Sequence, residues 1–69
     1  MQETRQAKEM ALNDLAETLK KYSAEKIRDI QLEDDLAVIT WEGGGQRTCS
    51  VGSDSVAMMI CDVCKEIVR

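Results

Sequence analysis

The chain has 69 residues, with 13 acids, 9 bases and no histidine, for a net charge of −4. At 43% apolar and 32% charged, it is too apolar for a disordered chain and too charged for a membrane one. Without histidine, it lacks the usual general base near neutral pH and the commonest metal ligand, which excludes Ser-His and Cys-His nucleophile pairs and a two-histidine zinc finger within one chain.

A chain this short is expected to form one domain over 1–69 and to bury only about 60% of its unfolded surface. Its core must be well ordered or shared with a partner. Met1-Gln2-Glu3-Thr4-Arg5-Gln6 holds no apolar run of signal-peptide length. The longest apolar run, Val56-Ala57-Met58-Met59-Ile60-Cys61, is far short of a membrane span. A cytosolic location without membrane contact is expected. Three cysteines, an odd number, then read as reduced thiols rather than a disulfide scaffold.

The first element, from about Glu3 to Tyr22, reads as an amphipathic helix. Ala7, Ala11, Leu15 and Leu19 recur at four-residue steps, with Leu12 and Tyr22 on the same side. Gln6, Glu9, Asn13, Glu17 and Lys20 form the opposite side. Early acids and the late Lys20-Lys21 suit the helix dipole.

Ile27-Arg28-Asp29-Ile30-Gln31-Leu32-Glu33 follows as a half-buried strand, with Ile30 and Leu32 between polar neighbours. Asp34-Asp35 reads as a turn. Leu36-Ala37-Val38-Ile39-Thr40-Trp41-Glu42 is β-rich and apolar on both sides. Gly43-Gly44-Gly45 makes a hairpin turn into Gln46-Arg47-Thr48-Cys49-Ser50-Val51. A four-residue loop would pair Glu42 with Arg47 and set Val38 on the face of Val51. That register leaves Ile39 and Trp41 on the open face beside Thr48 and Ser50, and it is the one expected here. A loop of the three glycines alone would reverse the faces.

Gly52-Ser53-Asp54-Ser55 offers N-cap residues for a last helix ending near Val68. Its core stripe is Val56, Met59, Ile60, Val63 and Ile67. A second, weakly polar side holds Ala57, Cys61, Cys64, Val68 and, at its margin, Met58. A helix apolar nearly all round is normally covered nearly all round, and a 69-residue monomer lacks the material to do so. The order is α-β-β-β-α. The expected fold is a two-layer α+β sandwich, a three-stranded antiparallel meander with two helices on one face.

Four motifs compete for a function. Cys61-Asp62-Val63-Cys64 has the C-x-x-C spacing of redox and zinc sites. It lies inside a helix rather than at its start, so the dipole does not lower a thiol pKa. Small apolar helix residues are the main reading; a metal shared across a dimer, with Cys49 as a further ligand, is the alternative. The glycines lack the lysine and serine of a phosphate-binding loop and join two strands. Glu33-Asp34-Asp35 lacks the calcium-loop pattern and reads as a solvated turn. Trp41 suits an interface anchor or the core.

In length and element order the chain is similar to the double-stranded-RNA-binding domain. That family grips phosphates with a lysine cluster at the start of its second helix. Here the matching stretch is Ser53-Asp54-Ser55-Val56-Ala57, with one acid and no base. Residues 27–69 carry eight acids and four bases, hence all of the −4. Asp29 to Glu42 holds five acids and no base, a stretch that repels nucleic acid, so an RNA-binding domain with an atypical acidic surface stands as an alternative only.

The expected function is non-enzymatic protein–protein contact, without a cofactor, as a homodimer. A small inhibitor or regulator from a phage or mobile element fits the composition. The contact surface is expected at Ile39 and Trp41 on the open sheet face and at Met58, Cys61 and Val68 on the last helix. Glu33, Asp34 and Asp35 would form its polar rim.

Overall fold

A computed structural model describes residues 4–69. Its elements are α1 (Arg5–Tyr22), β1 (Ile27–Glu33), β2 (Leu36–Trp41), β3 (Gln46–Ser50) and α2 (Val56–Val68), the expected order. The strands form one antiparallel sheet in the order β1-β2-β3. Helix α1 packs on β1, and α2 packs on β2, β3 and α1, giving the two-layer α+β sandwich. Glu3, expected in the first helix, lies outside the described residues.

Thr4 caps α1 by accepting a hydrogen bond from the Ala7 N–H at 3.1 Å. The first turn holds no acid, against the dipole-based expectation. Arg5 and Lys8 stand there and satisfy loop carbonyls instead. Arg5 donates to the carbonyls of Leu32 and Asp34, each at 2.9 Å, and Lys8 Nζ donates to the Val51 carbonyl at 2.9 Å. The start of α1 is thereby tied to the β1–β2 turn and to the end of β3. Leu12 and Ala16 are buried, with Ala11, Leu15 and Leu19 partly so. Tyr22, expected on the core side, is 83% exposed. It is the last helical residue, where the chain already turns toward β1.

Strand β1 contains a feature that strict alternation misses. Ile27 and Ile30 are three apart, so a regular strand would point them to opposite faces. Both are buried. The register shifts between Ile27, opposite Trp41, and Asp29, opposite Thr40, so Arg28 is an extra residue. This bulge turns both isoleucines toward the helices.

The β2–β3 register corrects the expected one. Ile39 lies opposite Arg47 and Ala37 opposite Cys49; Val38 lies opposite Thr48. Trp41 accepts a hydrogen bond from the Gly44 N–H and donates its own N–H to the Gly45 carbonyl, so Glu42-Gly43-Gly44 forms the tip. Gly44 has φ +94°, a left-handed conformation that a side chain would strain. The tighter tip sets Ala37, Ile39 and Trp41 on the helix side with Cys49. Leu36, Val38 and Thr40 take the open face.

Ser55 caps α2 by accepting from the Met58 N–H at 3.2 Å. Met59, Val63 and Ile67 are its buried row. With Leu12, Ala16, Ile27, Ile30, Ala37, Ile39 and Val51 they form a single core between sheet and helices.

Candidate interaction surface

Two of the expected contact residues are not on the open sheet face. Ile39 is fully buried in the core. Trp41 is half-buried on the helix side, with the Arg47 guanidinium 5.6 Å from its ring centroid. Arg47 also donates to the Glu66 carbonyl near the end of α2, at 2.8 Å. Trp41 and Arg47 therefore close the bottom of the sandwich rather than form an open platform.

The open sheet face is polar instead. Register places Asp29, Gln31, Glu33, Thr40, Gln46, Thr48 and Ser50 there, around Val38 and a 41% exposed Leu36. Thr40 is buried at its centre, and its Oγ1 accepts from Gln46 Nε2 at 3.2 Å. A wet face of this kind needs no cover.

The acidic turn is exposed as expected. Asp34 takes a left-handed conformation, φ +52°. Asp35 sits against Gly52 at the end of the sheet, and the two Arg5 bonds hold the turn's backbone. It is a braced corner, whereas Met58, Cys61 and Val68 run along a helix.

The expected residues of α2 lie at the surface. Met58 is 54% and Val68 76% exposed. Ala57 and Cys61 are exposed as well, and Cys64 is half-buried. The charged residue on this side is Lys65. The acids of α2, Asp62 and Glu66, lie on the β3 flank, where they crowd Cys49.

That flank is the part the sequence did not point to. Burial pushes the Cys49 thiol up, and the charges of Glu66, Asp62 and Asp54 push it further. Asp54, in the loop before α2, and Asp62, on α2, are paired carboxyls. The hydrogen bond to Asp62 raises Asp54 above its ordinary value; burial and the Asp62 charge add to this, and Lys8 opposes it. Asp54 Oδ2 is buried and has no hydrogen-bond partner. Finding this row beforehand would have needed the β2–β3 register, which decides that Cys49 faces α2.

Cys49, Cys61 and Cys64 carry free thiols. The structure does not bring Cys49 to the Cys61–Cys64 pair as a third ligand. Among the described residues, no three His, Cys, Asp or Glu side chains gather as a metal site. No described helix is long and apolar enough to cross a membrane. No known protein family matches the chain, and no curated protein or solved structure is significantly similar to it.

Proposed function

We propose that the chain is a non-enzymatic protein-interaction module that works in the cytosol and docks through the outer side of α2, with a second copy as its first occupant. The observation that carries this reading is the exposure of Met58, Cys61 and Val68 along the outer side of α2, where Lys65 stands and Asp62 borders only the Met58 margin. Two copies at −4 each repel. That repulsion is weakest where Lys65 is the local charge and the acids lie on the other flank. An exposed apolar helix side also gains by removal from water.

The test is sedimentation of reduced, untagged chain over a range of concentrations. A dimer that Met58→Asp and Val68→Asp both weaken supports the reading. A monomer at every concentration, or a dimer indifferent to both changes, overturns it. Binding of duplex RNA with a steep loss on adding salt would favour the alternative reading instead.

A further inference from the structure

We propose that two copies of the chain share one zinc ion, held by Cys61 and Cys64 of each. This rests on the α2-to-α2 contact proposed above. The outer row of α2 is Ala57, Cys61, Cys64 and Val68. Its steps of four, three and four residues keep one row facing a partner helix. The row is symmetric about the point between Asp62 and Val63. An antiparallel second α2 therefore sets Ala57 against Val68 of the other copy, small against large. The same symmetry sets Cys61 against its Cys64. Four thiols then meet on the two-fold axis.

The ligand count and reach fit zinc. Structural zinc takes four ligands in a tetrahedron, with sulfur about 2.3 Å from the metal, which places two sulfurs about 3.8 Å apart. Residues three apart on a helix have Cβ atoms about 5–6 Å apart, so one C-x-x-C spans two corners by rotation about χ1. Among the described residues, one chain offers two thiols and no third ligand beside them. The site is complete only with the second copy.

Binding would release the four thiol protons and leave a local charge of −2. Lys65, one turn after Cys61, offsets this from each copy. The seam itself is short. Thirteen residues of α2 make a rod about 20 Å long. Stable interfaces usually bury at least about 1,000 Å², so four metal–thiolate bonds would supply affinity that so little area does not.

Native mass spectrometry of the full reduced chain, with zinc and with a chelator, tests the inference. The expected species is a dimer carrying one zinc per two chains, with zinc tightening the dimer roughly tenfold or more. Cobalt(II) should give the strong visible absorption of a tetrahedral thiolate site, at one cobalt per two chains. Cys61→Ser and Cys64→Ser should each lose the metal while the far-ultraviolet circular dichroism stays unchanged, because these side chains lie outside the core. A dimer that binds no zinc overturns the shared ion and leaves the α2 contact standing. A monomer without zinc overturns both. One zinc per monomer, or zinc retained by the double serine variant, overturns the shared site.

Discussion

Ile39 and Arg47 face each other across β2 and β3. Both side chains point to the helix layer, yet they end in different surroundings. Ile39 is sealed in the core, while the Arg47 guanidinium reaches the rim and lies over Trp41. The sandwich passes from core to edge within this one pair.

Ile39→Ala should therefore act on stability and not on association. Truncating a fully buried isoleucine costs about 2–5 kcal/mol. In a domain of this size each kcal/mol lowers the melting temperature by about 4–8 °C. A large fall in thermal denaturation with unchanged assembly, at temperatures where the variant stays folded, is the expected outcome. An unchanged melting temperature would return Ile39 to the surface.

Trp41→Ala and Val68→Asp should separate in the opposite sense. Trp41 packs against the core and under Arg47, so its loss lowers the melting temperature while the outer side of α2 is untouched. Val68 is 76% exposed, and such positions usually change stability by no more than about 0.5 kcal/mol. Val68→Asp should weaken the proposed dimer and leave the monomer's unfolding curve in place. Calorimetry and sedimentation on the same samples decide the matter.

The element order was legible because periodicity reports which residues must share a face. Met59, Val63 and Ile67 on α2 and Leu12 on α1 are buried as their spacing requires. The middle strand was not legible in this way, because Leu36 to Trp41 is apolar on both sides and either set could turn inward. Its faces were settled by the hairpin tip, where one residue of slip exchanges them. Ile27 was missed as a core residue for a related reason: a bulge breaks the period of two. On the candidate surface, α2 was readable from its spacing. The Asp54–Asp62 pair joins a loop to a helix turn eight residues later and has no local signal.

Gly52→Ala should destabilise the fold although the site lies in a loop. A Cβ at Gly52 would stand 2.7 Å from the Asp35 Cγ and 2.9 Å from its Cβ. The near atom is close to the Asp35 backbone, so rotation alone does not relieve the clash. Asp35 is also held in place, since its carbonyl accepts the Val51 N–H at 2.8 Å. Overpacking of this kind costs about 1–3 kcal/mol. Urea denaturation of Gly52→Ala should show a lower midpoint at an unchanged slope. A midpoint equal to wild type would mean that Asp35 can move aside at no cost.

Asp62→Asn should remove a pH dependence. In the folded chain the hydrogen bond that protonated Asp54 donates to Asp62, together with burial, raises the Asp54 carboxyl above its ordinary value. The fold thus favours protonated Asp54. The stability from this group is complete below the ordinary carboxylate pKa and is lost as pH rises through the folded value. Wild-type urea midpoints should lose this contribution on going from about pH 3 to about pH 7. In the asparagine variant the second charge is gone, and the amide offers an N–H donor to Asp54 where Asp62 presents a carboxylate. The variant's midpoint should exceed that of wild type by a margin that widens with pH. Lys8, whose charge already favours ionised Asp54, then acts on an unopposed carboxylate and adds to the margin at the higher pH. Parallel curves for the two proteins would show that Asp54 and Asp62 do not share a proton.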